Sequence, residues 1–357
     1  MNRQIVILLI CVLSAAAAAA QSGHKQKYSE SVSQYDTAQP SEPHAAQSGN
    51  DEDIIKVETD LVMLPVRVTS RKGRPISDLK QSEFRIYEDG EEQEISFFNN
   101  NEAPFTVALL LDMSYSTVFK VNEIQSAALQ FLSLLKPDDR VMIVAFDRKV
   151  RVLCDVTNNR KALRYAIEGA AVGSGTSVYD ALDQVINQRF AAIHGRKAVV
   201  LLSDGVDTTS KISDGDSILK ALDETDALIY PIWYDTYDDV QHNRRNDAEI
   251  RFDEDDRPYS VSGVAGKGER WDDYVAAREF LLTLAERTGG RVQRVSSTTN
   301  LLAAFSQIAD ELRKTYTLGY YPSSERRAGG KHYIRVRVYR PDLIVRAKNS
   351  FLRPQKP

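Results

Sequence analysis

The sequence predicts a doubly wound α/β domain with a mostly parallel sheet, inserted into a β-sandwich that the N- and C-terminal strands build together. Three observations carry this. The runs Val107–Asp112 and Lys197–Asp204 are apolar enough to be buried on both faces, as central parallel strands are, and each ends in a carboxylate. Between residues 104 and 314, strand-like runs alternate with amphipathic helical ones. On either side of that span, strand patterns occur without helices.

The elements follow in chain order. Arg3, the apolar run Ile5–Leu13 and the small residues Ser14–Ala20 have the layout of a secretory signal peptide, residues 1–20, cleaved near Ala20. The strongly apolar part is short for a membrane span. An exported protein, periplasmic or extracellular, is therefore expected, with no integral span in the mature chain. Residues 21–53 are polar and predict a disordered linker.

Residues 54–103 read as β. Val62, Leu64, Val66 and Val68 alternate, Phe84–Glu88 gives a second strand before an Asp89-Gly90 turn, and Ile95–Phe98 returns. Some 45 residues make a poor core alone. The C-terminal residues 315–352 supply the complement. Tyr316–Tyr321 is strand-like, Ile334, Val336 and Val338 share one face of the next strand, and Leu343–Ala347 completes the set.

Within 104–314, a helix is expected over 121–135, with Ile124, Ala128, Phe131, Leu132 and Leu135 on one face. Strands at 140–146 and 149–156 form a hairpin. Helices at 160–169 and 178–189, strand 197–203, helix 215–225 and strand 227–234 follow. Helix 279–288, strand 291–295 and helix 301–313 close the domain. Residues 236–272 break this rhythm with a polar insertion containing Asp253-Glu-Asp-Asp256, expected to be a solvated loop, or else a partner-specific loop beside the site.

A net charge of −4 over 357 residues, with charges interspersed, gives no case for nucleic acid and no apparent polyanion-binding face. Of the two cysteines, Cys11 leaves with the signal peptide. Cys154 remains alone, so no intramolecular disulfide is expected. The five histidines are dispersed without a zinc-helix motif, and no G-x-S-x-G nucleophile motif occurs, so an enzyme is not expected.

The chemistry concentrates at Asp112-x-Ser114-x-Ser116, which follows the first central strand. Such a loop lies at the C-terminal edge of the sheet, where open α/β sheets hold ligands. Thr176 stands in the glycine-rich run Gly173–Asp180, and Asp204 ends the second central strand. Carboxylate and hydroxyl oxygens without sulfur or imidazole suit a hard divalent cation such as Mg²⁺.

With these three pieces in this order, roughly residues 104–312 resemble the von Willebrand factor A domain family. Its metal-ion-dependent adhesion site combines a D-x-S-x-S loop, a threonine loop and an aspartate loop. The resemblance implies a metal held by Asp112, Ser114, Ser116, Thr176 and Asp204. Mg²⁺ is the expected ion, with Mn²⁺ or Ca²⁺ as alternatives. It also implies a protein partner presenting an Asp or Glu, and a Thr176 that switches between direct and water-mediated contact. Leu61–Thr69, Phe84–Gly90 and Tyr316–Pro322 further resemble exported proteins of this family from Acidobacteria. The expected function is metal-dependent protein binding in adhesion or envelope assembly. The alternative is a structural subunit whose metal serves stability alone.

Overall fold

A computed structural model describes residues 61–100, 102–114, 121–246, 249–252, 258–261, 266–296, 298–322 and 330–352. The expected signal peptide, the expected linker and residues 54–60 lie outside the described residues, as does Ser116.

The first strands are β1 (Val62–Ser70), β2 (Phe84–Glu88), β3 (Glu91–Gln93) and β4 (Phe97–Asn99). The α/β part then runs β5 (Phe105–Asp112), α1 (Val121–Leu134), β6 (Arg140–Phe146), β7 (Val150–Thr157), α2 (Arg160–Glu168) and α3 (Val178–Asp183). It continues β8 (Arg196–Ser203), α4 (Gly215–Ala221), β9 (Leu228–Trp233), α5 (Tyr237–Asn246), β10 (Glu249–Phe252), β11 (Pro258–Val261), α6 (Trp271–Thr288), β12 (Gln293–Arg294) and α7 (Thr298–Arg313). The chain returns as β13 (Tyr316–Tyr320), β14 (Lys331–Val338), β15 (Leu343–Ala347) and β16 (Ser350–Leu352).

The α/β sheet has the order β12-β9-β8-β5-β6-β7. Its pairs are parallel except β6 with β7, the expected hairpin. Chain order leaves β5 first toward β6 and then returns to β8 on the other side. The switch point is therefore the crevice beyond the C-terminal ends of β5 and β8.

Strand alternation divides the core. Val107, Leu109 and Leu111 of β5 pack with Phe131 of α1, Leu163 of α2 and Phe305 of α7. Ala108 and Leu110 face the opposite layer, with Val178 of α3, Ile218 of α4 and Leu281 of α6. The buried face of α1 is Ile124, Ala127, Ala128, Phe131 and Leu132, the helical spacing that the sequence carries. Asn159 caps α2 by accepting from the Lys161 and Ala162 amides. Gly289 closes α6 at φ +81°, a left-handed cap.

Three local expectations change. The predicted helix 178–189 is α-helical only to Asp183 and widens into a π-helical stretch over Gln184–Arg189. Helix α6 begins at Trp271 rather than at 279, because Asp272 and Asp273 complement its N-terminal dipole while Tyr274 and Ala277 are buried. The stretch 236–272 is not simply a loop. It holds α5 and a hairpin in which β10 pairs with β11, Glu249 opposite Val261. The acidic run between those two short strands masks their alternation in the sequence.

The terminal strands form two four-stranded antiparallel sheets, β15-β1-β13-β4 and β16-β14-β2-β3. Each contains two strands from either end of the chain. Leu64, Val66, Val68, Phe84, Ile86, Leu318 and Ile334 fill the space between them. The α/β part leaves after β4 and re-enters at β13, and these strands are neighbours, with Phe98 opposite Leu318. Insertion requires such adjacent ends.

Candidate metal centre

Both central strands deliver their carboxylates to the switch point. The parallel register puts Leu111 beside Leu202, so the next residues, Asp112 and Ser203, are neighbours. Their side chains meet. The Ser203 hydroxyl donates to Asp112 Oδ2 at 2.6 Å, and the Ser114 amide donates to Asp112 Oδ1 at 3.0 Å. Ser203 in turn accepts from the Gly205 amide at 2.9 Å.

Asp204 is held from two sides. The Val206 amide donates to Oδ1 at 2.9 Å, and the Thr236 hydroxyl donates to Oδ2 at 2.5 Å. Thr236, just past the end of β9, lies 3.2 Å from the Tyr274 hydroxyl of α6. Gly205 adopts φ +83°, which turns the chain sharply after Asp204 and aims the next two amides back at Ser203 and Asp204.

Thr176 arrives from the glycine-rich loop before α3. Its carbonyl accepts from the Thr208 and Thr209 amides, both at 2.9 Å, and its amide donates to Thr208 Oγ1 at 2.8 Å. The threonine loop and the segment after Asp204 are thereby stapled together. Gly173 has no room for a side chain: a Cβ there falls 2.1 Å from an Asp147 carboxylate oxygen.

Asp112, Ser114, Thr176 and Asp204 are all buried. Burial pushes the Asp112 carboxyl up to about 7, the charge of Asp204 adds to this, and the hydrogen bonds from Ser114 and Ser203 oppose it. Burial and the same two carboxylates also raise the Tyr234 hydroxyl well above its ordinary range. Two carboxylates held in mutual repulsion away from water, beside hydroxyl oxygens, form a donor set that fits a hard divalent cation.

Neighbouring acids have other work. Asp180 accepts from the Lys211, Ile212 and Ser213 amides, anchoring the loop that leads to α4. Asp207 accepts from the Ser210 hydroxyl at 2.5 Å and lies 3.4 Å from Lys267 Nζ. Of the residues fixing the site, Ser203, Thr236 and Tyr274 escaped the sequence reading. Aligning the two central strands on their terminal carboxylates exposes Ser203. Thr236 and Tyr274 leave no local signal, because tertiary packing brings them in.

No curated protein matches the sequence. Solved structures similar to it include the vWF domain of the type V pili tip protein Mfa5 from Porphyromonas gingivalis, at 21% identity and a TM-score of 0.29. That match covers 30% of this chain and only 40% of the pilus chain. A von Willebrand factor type A protein from Catenulispora acidiphila matches at 10% identity over 84% of this chain and 76% of its own, with a TM-score of 0.43. Proximal thread matrix protein 1 from the mussel byssus, solved with a zinc-occupied MIDAS motif, matches at 12% identity over 64% of this chain and 50% of its own, with a TM-score of 0.42. Residues 107–206, from the first central strand to the turn that fixes Asp204, match the family model of the von Willebrand factor type A domain.

Proposed function

We propose that this chain is an exported, metal-dependent protein-binding module, acting in adhesion or envelope assembly rather than in catalysis. One observation carries the reading: Asp112 and Asp204 are buried together at the switch point of a domain that matches the von Willebrand factor type A model. Asp112, Ser114, Ser116, Thr176 and Asp204 are the residues that hold the ion. Mg²⁺ is the favoured ion for an all-oxygen set, with Mn²⁺ and Ca²⁺ as alternatives.

A bound divalent cation supplies a positive centre that accepts a carboxylate oxygen from an Asp or Glu of the partner. The chain's own residues prepare that centre. Ser203 and the Ser114 amide orient Asp112, Thr236 orients Asp204, and hydrogen bonds tie the Thr176 loop to residues 208 and 209. The signal-peptide pattern of residues 1–20 and the resemblance to exported Acidobacterial proteins support the location. Among the described residues, no helix is long and apolar enough to cross a membrane.

The depth of Asp112, Ser114, Thr176 and Asp204 favours a second reading, in which the metal only stabilises the fold. A pull-down from envelope extract with the full chain separates the two. Capture of a partner that is lost in EDTA, restored by Mg²⁺ and absent with Asp112→Ala supports the adhesive reading. Capture that survives both treatments sinks it, and a thermal shift with Mg²⁺ but no effect on capture establishes the structural one.

A further inference from the structure

The sandwich gathers a second set of metal-ligating groups, far in sequence from the first. Glu88 ends β2, Asp89 opens the turn into β3, and His332 lies on β14. Strands β2 and β14 are antiparallel, with Ile334 opposite Glu88, so His332 reaches the turn. His332 Nδ1 lies 2.8 Å from Asp89 Oδ2 and 3.2 Å from Glu88 Oε1. One ligand atom from each residue falls within 4.8 Å of the others. Glu88 and His332 are buried, while the Asp89 side chain is 36% exposed and leaves one side open to solvent.

The cluster is held in place by contacts that need no ion. The Asp89 amide donates to the Tyr333 carbonyl at 2.8 Å, and Asp89 Oδ1 accepts from the Tyr333 amide at 2.8 Å. The imidazole stacks on Phe351 with centroids 5.3 Å apart. Asp89 has φ +49°, a conformation that Asp and Asn tolerate better than other side chains.

Two carboxylate oxygens converge on one imidazole nitrogen, an arrangement that a metal ion or a hydrogen on Nδ1 can bridge. A proton on Nδ1 points well at one oxygen only. A divalent cation matches both carboxylates and leaves the ring neutral. Ligands about 2.0–2.1 Å from one tetrahedral zinc ion stand about 3.3–3.4 Å apart, so the 3.2 Å pair already fits and the 2.8 Å pair must open by about half an ångström. Imidazole among the donors favours zinc over magnesium.

We infer that Glu88, Asp89 and His332 form a second cation site of zinc type, independent of the one at Asp112. It pins β2 to β14, joining turn and strand across a sequence separation of 243 residues. It links two strands within the sandwich and does not depend on the inserted domain's function.

The test is zinc titration by calorimetry into the metal-stripped full chain carrying Asp112→Asn, which silences the α/β site. One zinc per chain is expected, together with a zinc-dependent rise in Tm. Adding Asp89→Asn should abolish both. Asn keeps the positive φ and still accepts from Tyr333, so the fold is retained and far-UV circular dichroism verifies it. His332→Gln, measured in the same way, gives an independent loss of binding. Failure of the Asp112→Asn chain to take up zinc overturns the proposal and leaves a proton-shared ion pair. Unchanged zinc binding after Asp89→Asn and His332→Gln overturns it equally, by placing the zinc elsewhere.

Discussion

Arg67 of β1 and Glu311 of α7 form an ion pair in which each side chain is only 2% exposed. Arg67 points away from the sandwich core, and its guanidinium also donates to the Gly290 carbonyl at 3.2 Å and lies 5.7 Å from the Tyr230 ring centre. Glu311 is shared with Arg291, 2.8 Å away. The pair therefore ties the sandwich to the last helix and to strand β9 of the inserted domain.

Removing one partner of such a pair leaves the other charge buried, which typically costs about 3–5 kcal/mol. Arg67→Ala should fall near the lower end, because Arg291 still compensates Glu311. Urea denaturation should show a lower midpoint. A cost below about 1 kcal/mol would mean that the pair adds little to joining the two bodies.

The Asp112 carboxylate is expected to oppose folding of the metal-free chain. Asp112→Asn removes the repulsion with Asp204 and can still accept from the Ser203 hydroxyl. The metal-free variant should melt above the metal-free wild type, while the increase in Tm produced by Mg²⁺ disappears. Thermal scans with and without EDTA decide this. A variant that melts lower than wild type in EDTA would show that Asp112 is satisfied by its hydrogen bonds alone.

The same group sets a pH dependence. Its folded carboxyl is raised from an ordinary value near 3.8 to about 7, so the native state holds a proton that the unfolded chain releases. This contribution to stability is fully present below about 3.8 and is lost as pH rises through about 7. Metal binding runs in the opposite direction, because the ion must displace that proton. Mg²⁺ affinity should rise by up to about tenfold per pH unit between pH 5 and 7, then level off. Calorimetry in buffers of different ionisation enthalpy would reveal the released proton. An affinity that is flat across that range contradicts the assignment of Asp112 as the titrating ligand.

Much of this arrangement is legible in the sequence for a simple reason. Central parallel strands are buried on both faces, so Val107–Asp112 and Lys197–Asp204 announce themselves as apolar runs, and their terminal acids must share an edge. The sandwich is legible because strict alternation in Ile334, Val336 and Val338 demands a partner sheet. Arg67 is not. It occupies an outward position of an alternating strand, where a solvated charge is the ordinary expectation, and the approach of α7, Gly290 and Tyr230 covers it. His332 is equally silent, since its carboxylate neighbours lie at the other end of the chain and meet it only once β2 and β14 pair.

Gly205 offers a test of how far backbone geometry, rather than ligand identity, sets the metal site. At φ +83° an Ala pays the left-handed strain of about 1–2 kcal/mol. Its Cβ also falls 2.8 Å from Leu281 Cδ1 and 3.3 Å from the Ala277 carbonyl of α6. Relief requires the buried Leu281 side chain or the turn to shift, and the turn carries the amides that orient Ser203 and Asp204. Gly205→Ala should therefore lower both Tm and Mg²⁺ affinity, although it removes no oxygen ligand. Gly195→Ala is the matched control. It has φ +90° with nothing within 4 Å of the added Cβ, and it lies before β8, at the opposite edge of the sheet. It should lower Tm through strain alone and leave Mg²⁺ affinity unchanged. Equal loss of affinity in both variants would mean that global destabilisation, not the turn after Asp204, governs the site.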